Sequence, residues 1–440
     1  MEFKFKKILM VMSTTGMLCS AYNIANAAAF QLWEQDGASV GDYHAGRAVT
    51  DDASTSYYNP AGLVRIHNQQ LIVAADPILT DFKFRGTINV IAPVTPSGNQ
   101  NVIAQGGNFN LVPSLHYAAP YNDRIYFGFS IVSPFGLETN YGLNTAARYA
   151  ANKTALTIID IAPSVGIKIN DKWSLGAGLD AEHARAEFDL VGTTTAFPLG
   201  VFDTASENVG RSWAYGFHLG ALFQPNETTR IGFTYHSKVV HHSHGESKFI
   251  GPLATALGVK TSTNLKADID LPATTTLSIF KTLNHTWDFM GTIAYTQWSV
   301  LQNIVLMNVA GVDSTGAGSE TVTVIVPEHY RNTWNVSVGA NYHLNEQWLF
   351  RSGIGFDETP ANDTDRNLQL PDSDRIAVAL GTHYQMTKAV GIDLGWTHFF
   401  VMNTFIHNVH QVVGAQQTYT NGAINAGADV LGLEVTWDIS

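Results

Sequence analysis

The sequence predicts an all-β fold: a fourteen-stranded antiparallel transmembrane β-barrel with an N-terminal hatch, or plug, inside its lumen. Three observations predict it. Long segments alternate apolar and small polar residues with period two, tight polar turns alternate with long connections, and tryptophans follow several of the turns directly. Composition agrees. The 440 residues carry 14% charged and 11% aromatic side chains with 38 glycines, and the mean hydropathy is zero. No apolar run after the leader is long enough for a membrane-spanning helix. The net charge of −12 argues against a nucleic-acid partner, because an acidic surface repels phosphate.

Residues 1–27 read as a signal peptide. Lys4, Lys6 and Lys7 precede an apolar core, Ile8 to Leu18, and Ala25-Asn26-Ala27 fits a small-x-small cleavage site, so the mature chain is expected to start at Ala28. Cys19, the only cysteine, leaves with that segment; the Gly16-Met17-Leu18 before it is a poor lipobox.

Residues 70–440 read as the barrel. Trp334, Val336, Val338, Ala340, Tyr342 and Leu344 alternate with Thr333, Asn335, Ser337, Gly339, Asn341 and His343. Trp173, Leu175, Ala177 and Leu179 likewise oppose Ser174, Gly176, Gly178 and Asp180, and Leu431, Leu433, Val435, Trp437 and Ile439 share one side. A soluble sandwich would place Lys and Glu on the polar face; Ser, Asn, Gly and Thr suit a crowded lumen. Six tight turns fall at Tyr121-Asn122-Asp123, Asn170-Asp171-Lys172, Pro225-Asn226-Glu227, Asn284-His285-Thr286, Asn345-Glu346-Gln347 and Met386-Thr387-Lys388. Longer connections, such as Gly86–Gly107, Val191–Gly210 and Asn403–Gly427, lie between them. Trp173, Trp287 and Trp348 each follow a turn, which places indoles at one lipid–water boundary.

Residues 28–69 precede the first alternating strand. This stretch contains "STSYYNPAGLVRI", Ser54 to Ile66, whose Asn-Pro and Ala-Gly steps favour compact turns. Some forty residues without a disulfide bury too little surface to fold alone. Phe30, Leu32, Trp33, Tyr57 and Tyr58 are too many aromatic and apolar residues for a disordered leader, so the barrel lumen is the expected host.

Pro134, in Ser133-Pro134-Phe135-Gly136, sits in the third expected strand, Arg124–Leu137, where a residue without an N–H followed by glycine favours a bend or bulge. Pro77, Pro113 and Pro163 fall in expected strands one, two and four, so the wall is expected to be weakest over its first four strands. The alternative is that these prolines only mark strand ends. Two further clusters invite other readings. His236, His242 and His244 share parity, with His241 opposite; they could bind zinc or copper, or form a polar strand end near lipopolysaccharide, which is the preferred reading. Asp51-Asp52 reads as a turn accepting backbone N–H groups rather than as a cation site. No cofactor and no metal are assigned.

The start Ala29-Phe30-Gln31-Leu32, "AGRAVTDDASTSYYNPAGL", "LPATTTLSIF", "YRNTWNVSVGANYHLNEQWLFRSGIGFDETP" and "LPDSDRIAVALGTHY" together resemble the FadL/TodX family of outer-membrane transporters for long-chain fatty acids and other hydrophobic compounds. The resemblance covers essentially the whole mature chain. It implies a hatch carrying the motif Asn59-Pro60-Ala61. It also implies a lateral opening at a kinked third strand, at Pro134, Phe135 and Gly136, and a ligand pocket closed by Phe30 and Leu32. Arg185 and Arg331 sit where the family places basic residues near the ligand head. Arg331 shares parity with luminal Asn335, whereas Arg185 shares parity with Leu179 and points outward unless a bulge intervenes; either could pair with a neighbouring carboxylate instead. The implied partners are a long-chain fatty acid or similar hydrophobic molecule, outer-membrane lipid and lipopolysaccharide, and the barrel assembly machinery, with the protein a monomer in the outer membrane. The usual terminal aromatic residue is absent, and Trp437 is the nearest substitute. The rival readings are a general diffusion porin, a transporter of aromatic hydrocarbons and an outer-membrane lipase; no Gly-x-Ser-x-Gly elbow supports the last.

Overall fold

A computed structural model describes residues 29–91, 96–193, 200, 202–402, 404–411 and 416–439. Residues 1–28, with the expected signal segment and cleavage site, lie outside the described residues. Fourteen strands close into one antiparallel barrel. They are β1 (Gln69–Val90), β2 (Gln100–Gln105 and Phe109–Pro120), β3 (Ile125–Val132 and Gly136–Asn140), β4 (Lys153–Lys168), β5 (Trp173–Gly192), β6 (Thr204–Asn226) and β7 (Thr229–His236 and Val239–Ile250). Then follow β8 (Ser262–Leu271 and Thr274–Thr282), β9 (Trp287–Thr296 and Asn303–Val312), β10 (Gly318–Pro327 and Thr333–His343), β11 (Trp348–Asp357), β12 (Arg375–Thr387), β13 (Val390–Val401 and Thr404–Gln411) and β14 (Gln417–Ile439). Each strand pairs with the next, and β1 pairs with β14 from Gln69 opposite Ile439 to Val90 opposite Thr418. Apart from one stretch between β2 and β3, closure leaves no sheet edge in the hydrocarbon, where an unpaired N–H would cost several kcal/mol.

The tight turns share one chemistry. The side-chain oxygens of Asn122, Asn170, Asn284 and Asn345 each accept hydrogen bonds from two backbone N–H groups just downstream. Next to these turns each tryptophan meets an aromatic residue on the adjacent strand. The ring centroids are 4.4 Å apart for Trp173–Phe223, 4.9 Å for Trp287–Tyr342 and 4.6 Å for Trp348–Tyr384. All three indoles are exposed on the outer wall, forming part of an interfacial girdle.

Two expectations need correcting. The long connections are shorter than the sequence suggested: residues 86–90, 100–105 and 417–427 are strand. Alternation continues there in Thr, Asn, Gln and Val, and inward-facing Ile88, Val102, Ile406 and Ile424 bury one another. Nor are interruptions confined to the first four strands. Breaks occur in β2 and β3 and also in β7 through β10 and in β13. Pro77 and Pro163 lie inside unbroken strands, because the β1–β14 ladder skips Asp76–Pro77 and the β4–β5 ladder skips Ala162–Pro163. Each missing N–H thus costs one ladder site and leaves the strand intact.

Residues 29–66 occupy the lumen as three 3-10 turns (Ser39–Asp42, Arg47–Val49, Pro60–Arg65) and a one-turn helix, Thr55–Tyr58. Most of these residues are buried. The small polar residues of the wall satisfy their backbone. Thr292 and Ser278 accept from the N–H groups of Gly46 and Ala48, Ser174 and Thr397 donate to the carbonyls of Ala61 and Val40, and Glu434 accepts from Gly37 and Ala38.

Candidate functional site

The wall is unsealed between β2 and β3. Their ladder runs from Pro120 opposite Tyr126 to Leu115 opposite Ile131 and stops there. The break Ser133-Pro134-Phe135 follows on β3, and the upper piece, Gly136–Asn140, pairs with β4. The N-terminal segment takes up hydrogen-bonding groups of this rim from within. Leu32 N–H donates to the Pro134 carbonyl at 2.9 Å, and Gly136 N–H donates to the Phe30 carbonyl at 2.8 Å, with Gln31 bridged to Phe135. The Gln35 amide accepts from Ser133 N–H and donates to the Ser133 carbonyl, both at 2.8 Å. The exposed end of this arrangement is apolar: Leu111, Pro113, Leu115 and Ile131 line an outer groove beside the seam.

Behind the rim lies a packed apolar cluster. Inward-facing residues of β4 to β10, among them Leu156, Phe188, Leu265 and Leu306, form one cluster with Phe30, Phe135 and Trp298. Phe30 packs edge-on to Trp298 with centroids 4.7 Å apart and to Phe135 at 6.1 Å. Trp298 belongs to a short 3-10 turn, Trp298–Val300, inserted in the β9 break, so the strand interruption is what aims this indole inward.

A separate polar cavity reaches the rim at Pro134 and Phe135. Arg47, Tyr57, Asp160, Asp180, Glu182 and His236 line it. Arg47 is buried, lies 3.8 Å above the Trp33 ring and donates to Asn335 at 3.2 Å. No salt bridge of Arg47 is found among the described residues, and burial lowers its guanidinium to about 10 although Asp357 and Glu34 favour its charge. Burial, reinforced by Asp160, Asp180 and Glu182, pushes the Tyr57 hydroxyl well above its usual range, so it stays protonated. Burial likewise raises the Asp42 carboxyl well above the usual range, with Arg351 working against it.

The sequence-predicted residues distribute unevenly around this site. Phe30, Leu32, Pro134, Phe135 and Gly136 meet at the rim. Asn59, Pro60 and Ala61 seat the N-terminal segment against β4 to β6. Asn59 donates to the carbonyls of Ala48 at 2.6 Å and Ala221 at 3.2 Å and accepts from Ala61 N–H. A Cβ at Gly176 would stand 2.3 Å from the Pro60 carbonyl carbon, so only glycine admits this approach.

Arg185 and Arg331 are not brought to the apolar cluster or the polar cavity. Arg185 lies on the outer face of β5, since no bulge reverses its parity, and pairs with Glu187 at 2.7 Å. Arg331 lies in the β10 break, which removes the parity argument, and pairs with Glu358 at 2.7 Å with half its side chain exposed. The β7 break at residues 237–238 also splits the histidines: His236 and His241 face inward, while His242 and His244 are exposed outside. Asp51 pairs with Arg230 at 2.9 Å, and Asp52 accepts from Ser54 N–H. Arg47, Gln35 and Trp298 were not legible as site residues; only the position of Arg47 in "AGRAV", beside the Asn-Pro-Ala stretch, hinted at one of them.

The family described as outer membrane protein transport protein (OMPP1/FadL/TodX) matches residues 18–438. A long-chain fatty acid transport protein of Escherichia coli K12 is 26% identical over 404 residues, covering 84% of this chain and 87% of its own. Among solved structures, a Pseudomonas aeruginosa FadL homologue superposes with a TM-score of 0.81 at 24% identity, covering 93% of this chain and all of the other. The Pseudomonas putida toluene transporter TodX has a TM-score of 0.66 at 14% identity, covering 91% and 99% of the two chains. The last two likenesses concern the fold.

Proposed function

Given that the chain belongs to the OMPP1/FadL/TodX family of outer-membrane transport proteins, we propose that it imports hydrophobic molecules, long-chain fatty acids first among them, and releases them sideways through the β2–β3 seam. The seam is the observation that carries this reading: an unpaired stretch of wall, its inner rim bonded to the chain's own Phe30–Leu32, lying between an apolar inner cluster, which becomes the chamber once ligand displaces Phe30, and an apolar outer groove. Each methylene moved into the chamber gains about 0.8 kcal/mol, enough to draw an acyl chain in from water. The acyl chain competes with Phe30 for the surfaces of Trp298 and Phe135. Displacing Phe30 strains the two backbone hydrogen bonds at Pro134 and Gly136, and their loss clears the rim.

Arg47 is the residue assigned to the head group. A buried guanidinium without a carboxylate partner favours a bound anion. The remaining residues 28–69 act as the hatch that keeps the lumen closed to ions, and no catalytic step is assigned. Lipid and lipopolysaccharide surround the girdled wall, the barrel assembly machinery inserts it, and one chain suffices for transport.

Uptake of radiolabelled oleate by cells lacking their own fatty-acid transporter tests the proposal. Expression of the wild type should restore uptake. Restoration of toluene uptake without oleate uptake would reassign the substrate, and passage of hydrophilic solutes alone would sink the reading in favour of a porin.

A further inference from the structure

We propose that Asp180, His218 and His236 form a binding site for one divalent metal ion of the zinc class, built into the wall against the N-terminal segment. The three residues come from the consecutive strands β5, β6 and β7, and their ligating atoms lie within 4.8 Å of one another. His218 stands directly opposite His236, and the two rings stack with centroids 5.2 Å apart. Opposite His218 on β5 is Gly178, and opposite Asp180 on β6 is Gly216. A Cβ at Gly178 would sit 2.1 Å from the His218 ring. Glycine at position 178 therefore clears the space that the His218 ring occupies. Tetrahedral zinc with bonds of about 2.1 Å needs donors about 3.4 Å apart, which rotamer adjustments of about an ångström would provide.

The donor set suits the ion. Two imidazoles and one carboxylate select zinc, cobalt and related cations over calcium or magnesium, and they leave a fourth position open toward the cavity. The His218 ring is already oriented for it. Its Nε2 lies 3.2 Å from the Ser56 carbonyl and its Nδ1 lies 2.6 Å from Asp180 Oδ1. With Nε2–H donated to the carbonyl, Nδ1 presents its lone pair to the metal, and the ion replaces the proton shared with Asp180. A ligating histidine held by a backbone carbonyl through its other nitrogen is the usual outer-shell arrangement.

A second observation points to a cation. Asp160 stands directly opposite Glu182 on adjacent strands, both nearly fully buried and both lining the same cavity. Glu182 has His241 at 2.9 Å, but Asp160 Oδ1 has no hydrogen-bond partner. Like charges facing each other across a ladder are destabilising, more so when buried. A divalent ion beside them offsets that charge. It also ties the wall to the Thr55–Tyr58 turn, through Ser56 on His218 and through the Tyr57 ring 4.8 Å from His236. The site stands independently of which molecule the barrel carries.

The test uses the full chain in detergent, without a histidine tag, stripped with chelator and titrated with Co²⁺. The visible d–d bands of four-coordinate cobalt should saturate at about one ion per chain. His236→Gln and Asp180→Asn should each weaken binding at least about a hundredfold, the upper range for loss of a mere outer-shell partner. His242→Gln/His244→Gln should leave binding unchanged. Heat-modifiable gel mobility reports folding; His236→Gln removes no buried charge partner and decides the question alone should Asp180→Asn fail to fold. No visible bands in the wild type, binding unchanged in His236→Gln, or loss in the His242/His244 variant would each overturn the site.

Discussion

Phe30→Ala is the perturbation that separates a latched seam from an inert one. Phe30 is 2% exposed and touches Trp298 and Phe135 edge-on. Removing a buried phenyl ring costs about 3–5 kcal/mol, of which the ring–ring geometry is about 0.5–1.5 kcal/mol per pair. The segment is held at the seam by this ring, two backbone hydrogen bonds and the Gln35 amide, so the cost falls on docking of the segment rather than on the barrel. At about 1.4 kcal/mol per factor of ten, local opening should become roughly 10²- to 10³-fold more frequent. Native-state hydrogen exchange reads this at the Leu32 and Gly136 amides, the two backbone-to-backbone donors between the segment and the β3 rim. Both should exchange faster by that factor, while amides of the β11–β12 ladder keep their rates. Phe30→Leu, which retains most of the volume, should shift them by about tenfold at most. Unchanged exchange at Leu32 and Gly136 in Phe30→Ala, or equal acceleration throughout the barrel, would refute the latch.

Three further outcomes are expected. Asn59→Ala leaves the Ala48 and Ala221 carbonyls and the Ala61 N–H without their partner, at about 1–3 kcal/mol for each buried group left unsatisfied; ion conductance in planar bilayers should rise as the hatch loosens. Gly176→Val drives a side chain into Pro60 and should raise conductance further or block assembly, read as loss of heat-modifiable mobility. Asp42, its carboxyl raised by burial, penalises docking as pH climbs above the unfolded-state value near about 4, because the free segment ionises while the docked one holds its proton. Asp42→Asn should therefore tighten the N-terminal segment at pH 8 and leave it unchanged at pH 4, measured as protection of the same two amides.

Much of the barrel was legible in the sequence because its determinants are local. An Asn in a tight turn, a Trp just after it and a strict alternation each act within a few residues, and Trp173, Asn284 and Val338 behave as such patterns require. The site was less legible because strand breaks cancel parity. Two residues at 237–238 turn His236 inward and His242 outward, and five at 328–332 free Arg331 from the face of Asn335. Asp180, His218 and His236 share no sequence spacing; only the register of three strands unites them. Pro134 was readable because its effect is covalent. That Gln31 and Gln35 bond to the rim depends on a contact about a hundred residues distant, which no local pattern encodes.

Release through the seam is tested most directly by a disulfide across it. Gln31 and Phe135 form an antiparallel bridge, where Cα atoms about 4.5–5.5 Å apart suit an S–S bond. The only native cysteine, Cys19, lies in the leader expected to be removed, so Gln31→Cys/Phe135→Cys introduces a single pair. Oleate uptake by cells carrying this variant should stop under oxidising conditions and return on reduction, with each single variant active in both. Undiminished uptake through the oxidised, fully cross-linked protein would mean that the ligand leaves by another path.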